Sequence, residues 1–234
     1  MANSSIAVVT GANRGIGFEV CRQLAQRGVN VVLTARAAPL GLAASAQLNR
    51  EGLPVEFHEL EVTDDASIKM LKEHLEKKFG LINVLVNNAG TGVSGDGAAL
   101  EVDLAVIRKA LEVNCFGSLR IIQALIPLLK KSPNARIVNV SSGMGAFSTM
   151  KGGLAAYRLS KTCLNAVTTM VASELADTGI AVNAVCPGWV KTRMGGQTAP
   201  RSVEEGADTI VWAALDVPST LSGKFLRDRE VIPW

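Results

Sequence analysis

Short runs of consecutive apolar residues alternate along this chain with longer stretches in which apolar positions recur every three to four residues. The runs fall at 6–9, 30–34, 55–60, 84–86, 137–140 and 180–185, with a last short one near 224–226. A strand buried on both faces needs such a run, because successive side chains point to opposite sides and neither side meets water. Helical spacing fills the stretches between, near 15–26, 39–51, 68–79, a long region ending about 129, 157–176 and 203–215. This alternation predicts an α/β fold: a single doubly wound parallel sheet, Rossmann-like, with helices on both faces and 1–234 forming one domain.

Sheets of this build bind ligands beyond the carboxyl ends of their strands. Four such ends carry Thr10-Gly11-Ala12-Asn13-Arg14-Gly15-Ile16-Gly17, Asn87-Asn88-Ala89-Gly90, Ser141-Ser142-Gly143 and Cys186-Pro187-Gly188. They should surround one cleft. The first lies between a strand and a helix, where glycines let backbone N–H groups and the positive helix end approach a phosphate. Its spacing, G-x-x-x-G-x-G, is not the G-x-G-x-x-G fingerprint. Position, more than spacing, makes it a nucleotide-binding turn.

Composition excludes several classes. Hydrophobic residues make up 48% and charged residues 19%, as in a compact globular protein. The net charge of +3 is not gathered into a basic block, and aromatics are only 4%, so nucleic acid is not an expected partner. Cys21, Cys115, Cys163 and Cys186 lie far apart in apolar segments without metal spacing, and read as reduced thiols of a cytoplasmic protein. His58 reads as a strand residue and is too far from His74 in sequence for a local ligand pair, so no metal is expected. Residues 1–5 lack a basic segment and no apolar run looks long enough to span a bilayer. Neither a signal peptide nor a membrane partner is expected.

The candidate chemistry centres on Tyr157 and Lys161. Four residues apart on a helix, they share a face. A phenol holds its proton to pH ~10, and a nearby fixed positive charge is expected to lower that value toward one useful for proton transfer. Tyr157 is also the only tyrosine.

Together, Thr10-Gly11-x-x-x-Gly15-x-Gly17, Asn87-Asn88-Ala89-Gly90, Asn114, a serine ahead of Tyr157-x-x-x-Lys161, and Pro187-Gly188 resemble the short-chain dehydrogenase/reductase family over essentially the whole chain. Within it, the segments at 136–142, 187–192 and 223–234 look like those of carbonyl reductases. The resemblance implies NADPH-dependent reduction of an aldehyde, ketone or quinone. Tyr157 would supply the proton and Ser142, preferred over Ser141, would hydrogen-bond the developing alkoxide. Lys161 would hold the nicotinamide ribose, and Asn114 would anchor a water leading protons to Lys161. It further implies NADP(H) contacts from Gly11, Asn13, Arg14, Gly15, Ile16, Gly17, Arg36, Glu61, Val62, Asn88, Ala89, Gly90, Tyr157, Lys161, Pro187, Gly188, Val190 and Thr192. Glu61 replaces the family's usual aspartate near adenine. The Ser142–Tyr157 spacing is about two residues longer than usual, so the intervening loop should bulge. The substrate loop near 189–203 is short, which suggests an open, tolerant site.

Arg36 ends the second strand where NAD-binding sites carry an acid, and Arg14 approaches from the glycine turn, which favours NADP(H). A dehydrogenase running the site toward oxidation of a secondary alcohol or steroid is the alternative within the enzyme class. A cofactor-binding regulator without turnover is the alternative outside it. The helix at 116–129, apolar nearly all round, suggests self-association, and the resemblance implies a homodimer or homotetramer that pairs this helix with that of Tyr157.

Overall fold

The computed structural model describes residues 5–234; the expectations for residues 1–4 lie outside them. Strands β1 (Ile6–Val9), β2 (Asn30–Ala35), β3 (Val55–Glu59), β4 (Val84–Asn87), β5 (Arg136–Val140), β6 (Ala181–Val185), β7 (Phe225–Arg227) and β8 (Glu230–Ile232) form one sheet in the order 3-2-1-4-5-6-7-8. The first seven run parallel, with helices α1 (Gly15–Gln26), α2 (Ala38–Arg50), α3 (Asp65–Lys78), α4 (Leu104–Leu111), α5 (Ser118–Leu129), α6 (Ala155–Glu174) and α7 (Val203–Leu215) around the sheet. Registers such as Val8↔Leu85, Leu85↔Ile137 and Ile137↔Val182 are level across the sheet. The carboxyl ends of β1, β4, β5 and β6 therefore finish in one row.

Alternation along each strand feeds two cores. Val9, Val31, Leu33 and Val86 pack with Val20, Leu24 and Ile210 of α1 and α7. Val8, Val32, Leu85 and Ile137 pack on the opposite face with Leu71, Ile121, Leu125 and Val167 of α3, α5 and α6. Each fully buried leucine among them contributes roughly 1.5–3 kcal/mol.

Two sequence expectations need correction and two need completing. Strand β8 is antiparallel to β7, so the sheet is not parallel throughout. Its hairpin turns on Asp228 and Arg229, both at positive φ (53° and 61°), and lacks the Asn-Gly or Asp-Gly signature of such turns. Second, α4 and α5 join through a π-helical turn, Glu112–Gly117, into a continuous helical stretch, Leu104–Leu129, long and apolar enough by length and composition to cross a membrane. Here its inner face (Ile121, Ile122, Leu125, Leu128) belongs to the core instead. Third, the two histidines meet: their ring centres are 5.0 Å apart, and each ring has a partner, His58 with the Glu59 carbonyl and His74 with the Glu56 carboxylate, both at 2.7 Å. Among the described residues no group of three His, Cys, Asp or Glu is placed to hold a metal. Fourth, Cys115 and Cys163, distant in sequence, bring their sulfurs to 2.7 Å, and all four cysteines are free.

Candidate active site

The cleft is built on the glycine turn after β1. Gly11 and Gly15 have φ of 63° and 59°, a region that favours glycine. A Cβ on Gly11 would come within 2.7 Å of the Ala89 Cα, and one on Gly17 would run into the Asn88 amide. The Thr10 hydroxyl accepts from the Asn88 and Ala89 N–H groups at 3.0 and 2.9 Å, and the Asn88 amide donates to the Thr10 and Gly11 carbonyls at 2.9 and 3.1 Å. The Asn88 side chain thus braces the turn, while Gly90 faces the Lys161 ammonium and the Asn114 amide oxygen. Helix α1 starts after Arg14, which gives no side-chain cap, so its first N–H groups are left for an anion. The Thr192 methyl lies against Gly15 and closes the turn from the β6 side. Asn13 and Ile16 are half-buried in the turn itself.

Arg14 and Arg36 are both exposed, and neither has an ion pair among the described residues. Behind Arg36, α2 begins after Ala37, again without a side-chain cap. Two free guanidiniums and an uncapped helix start suit a phosphate dianion better than a hydroxyl.

Ser142 and Tyr157 meet across the loop between β5 and α6. That loop, expected to bulge, winds through two short 3-10 turns, Gly143–Gly145 and Phe147–Thr149. Ser141 is not available for catalysis: its hydroxyl is buried and bonded to Asn165 Oδ1 at 2.5 Å. Ser142 Oγ accepts the Met144 N–H at 3.2 Å and lies near enough to the Tyr157 phenol to influence its titration. Burial raises the phenol above its ordinary pKa, the neighbouring Ser142 hydroxyl pulls the other way, and Cys186 beyond β6 adds to the rise. The net direction is upward, against the lowering expected from Lys161, because burial outweighs it. The ammonium lies 5.8 Å from the ring centre and donates to the Val140 carbonyl at 2.8 Å; burial penalises both charged forms. Burial brings Lys161 itself down to about 8.

Asn114, fully buried in the π-helical turn, has its side chain engaged three ways. Its oxygen accepts the Thr91 N–H at 2.7 Å, and its amide donates to the Thr91 carbonyl and the Ser160 hydroxyl, each at 2.9 Å. Its backbone carbonyl accepts from the Ser118 hydroxyl at 3.4 Å. One oxygen of the Glu61 carboxylate accepts from the Thr63 N–H and hydroxyl at 3.3 and 3.0 Å. Val62 is buried against Gly117. Val190 is buried against Gly206, and Arg201 ties Pro187 and Gly188 down by donating to the Pro187 carbonyl at 3.1 Å and pairing with Asp228 at 2.5 Å. Sequence reasoning missed Asp96, Ser160, Asn165 and Arg201, because each acts through a partner remote in sequence or through main-chain groups that leave no pattern.

The short chain dehydrogenase family profile matches residues 5–203. A (+)-neomenthol dehydrogenase of Arabidopsis thaliana is 37% identical, covering 96% of this chain and 96% of its own. Carbonyl reductase (NADPH) 1 of Bos taurus is 34% identical over 100% of this chain and 99% of its own. That alignment runs over 281 positions against 234 residues here, so the bovine protein carries segments this chain lacks. An NADPH-bound carbonyl reductase from chicken fatty liver superposes with a TM-score of 0.90 at 30% identity, over 99% of this chain and 100% of its own.

Proposed function

The chain belongs to the short chain dehydrogenase family, and we propose that its cleft carries out NADPH-dependent reduction of small carbonyl compounds with Tyr157 as the proton donor. The residues present fit NADP(H): the uncapped start of α1 suits the pyrophosphate, and Arg14 and Arg36 suit the 2′-phosphate. When bound, the reduced nicotinamide supplies the hydride taken up by the carbonyl carbon. Ser142 donates to the carbonyl oxygen, and Tyr157 passes its proton there as negative charge develops. Because the phenol is held above its ordinary pKa, it is fully protonated at neutrality and ready to give. The Lys161 ammonium, close to the ring, favours the phenolate left behind. The Asn114 backbone carbonyl is the group that would hold a water on the path returning the proton.

The placing of the Lys161 ammonium beside both the Tyr157 ring and Gly90 of the cofactor cleft carries this reading. Assaying NADPH oxidation against a panel of aldehydes, ketones and quinones tests it: the wild type should turn over at least one class, and Tyr157→Phe should lose ~10²–10⁴ in kcat with NADPH binding intact. Near-normal turnover by Tyr157→Phe would put the proton donor elsewhere. Oxidation of a secondary alcohol is the second reading, favoured by the neomenthol dehydrogenase relative, and the same assay run with NADP⁺ measures it. We further infer a homodimer or homotetramer through α5 and α6, supported by exposed Phe116, Leu159 and Met170 on that face. Four free thiols support a cytoplasmic setting.

A further inference from the structure

Helix α6, which carries Tyr157 and Lys161, starts where its own sequence cannot cap it. Leu154, the residue before it, is left-handed (φ 50°, ψ 46°) and offers no side-chain acceptor. The first N–H groups of a helix need acceptors from outside it. Here they come from a loop sixty residues back. The Ala155 N–H donates to the Gly97 carbonyl at 2.9 Å, the Ala156 N–H to Asp96 Oδ1 at 2.9 Å, and the Tyr157 N–H to Asp96 Oδ2 at 3.0 Å. One carboxylate thus caps two consecutive residues, and the second is the tyrosine.

The other side of Tyr157 is held from the same loop. Its carbonyl accepts from the Ser160 hydroxyl at 2.8 Å; that hydroxyl accepts from Asn114, whose side chain is clamped on the main-chain N–H and carbonyl of Thr91. Residues 91–97 continue directly from the Asn87–Gly90 segment that braces the glycine turn. The peptide groups flanking the phenol are therefore referenced to the floor of the cofactor cleft, with Asp96 at one end and Asn114 at the other. An ordinary cap from residue 154 would steady the helix without tying it to that floor.

We propose that Asp96 is a positioning residue for the reaction: its carboxylate fixes the start of α6 so that the Tyr157 hydroxyl sits at the depth and angle proton transfer requires. This rests on the carbonyl-reductase reading of the site. A displacement of about 1 Å can cost on the order of 10² in rate, and the negative charge also complements the positive end of α6.

The test compares Asp96→Ala and Asp96→Asn with Asp103→Ala, which removes a cap of the usual local kind, Asp103 Oδ1 to the Ala105 N–H at 2.8 Å on α4. With NADPH and a reducible carbonyl, Asp96→Ala should lose about 10-fold or more in kcat, with NADPH dissociation constant and substrate KM changed far less. Asp96→Asn should recover most of kcat, since its amide oxygen still accepts. Asp103→Ala should lose stability alone. Wild-type kcat in Asp96→Ala overturns the proposal. So does an Asp96→Asn no better than Asp96→Ala, and if Asp96→Ala does not fold, a wild-type kcat in Asp96→Ser overturns it.

If the wild type reduces no carbonyl, the functional reading fails and a second measurement still decides. Tyr157 is the only tyrosine, so tyrosinate absorbance titrates this residue alone. The charged and titratable groups about it are Lys161 on its helix, Cys186 beyond β6 and Asp96 at the helix start. Freeing the helix start admits water and removes an anion, and both favour the phenolate. The Asp96→Ala midpoint should fall from its raised value toward ~10, with Asp103→Ala unmoved and helix content checked by circular dichroism at each pH. An unmoved Asp96→Ala midpoint overturns the positioning role.

Discussion

Lys161 shows what the site costs the fold. Its ammonium is buried, its neighbours offer one carbonyl and no carboxylate in contact, and burial lowers its pKa from the usual value to about 8. Between about 8 and the unfolded value near ~10.4, the unfolded chain binds more protons than the native one. Stability from this group therefore rises with pH through that window, and below it the penalty is complete. A shift of this size corresponds to roughly 3 kcal/mol, partly offset by the bond to Val140, worth about 1 kcal/mol. Lys161→Met should therefore be inactive yet about 1–3 kcal/mol more stable than the wild type at pH 7, with the difference shrinking toward pH 10. Urea unfolding at the two pH values measures this, and a lysine variant less stable at pH 7 would contradict it. The same burial explains why Tyr157 is raised and not lowered: opposite charges help each other only where both remain charged.

Element boundaries were legible where the signal is local. Helix α7 runs over Val203–Leu215 as read, because Ser202 and Glu205 form a capping box within four residues. The start of α6 was not, since its cap comes from Asp96. Helix α5 was read as apolar nearly all round, and the structure divides that surface. Ile121, Leu125 and Leu128 enter the core beside α3, and Arg120 pairs with Asp65 and Glu112 on the flank. What stays exposed is Phe116 at the π-helical turn, with Leu159 and Met170 on α6. If a second copy covers this face, light scattering at micromolar concentration should give at least twice the chain mass. Leu159→Arg with Met170→Arg should then yield a folded monomer. A monomeric wild type would rule out the pairing.

At the scale of the whole molecule, level strand registers bring four turns from distant parts of the chain around one cleft. A ligand that binds this cleft binds only the folded chain, so it stabilises by mass action, about 2.7 kcal/mol at 100 times its dissociation constant. NADPH should therefore raise Tm clearly more than NADH at equal concentration. Losing one charge-assisted bond costs ~1.5–3 kcal/mol, so Arg36→Asp should weaken NADPH by at least about 10–100-fold and shift preference toward NADH. Equal Tm shifts for both cofactors in the wild type would count against the role of Arg14 and Arg36.

The sequence by itself determined the alternation of strands and helices, the parallel sheet to β7, and the turns at its carboxyl edge. These follow from periodicity and from glycine, whose effects act within a few residues. It also marked Tyr157 and Lys161 as sharing a helix face, since four residues make about one turn. Only the tertiary structure decided which serine is free, because Asn165 claims Ser141 from twenty-four residues away. It alone turned Glu61 toward Thr63, set His58 beside His74, and passed the cap of α6 to Asp96. Hydrogen bonds between remote side chains and backbone, and the pKa shifts that burial imposes, depend on which surfaces the fold presses together, and no local pattern in the chain records that.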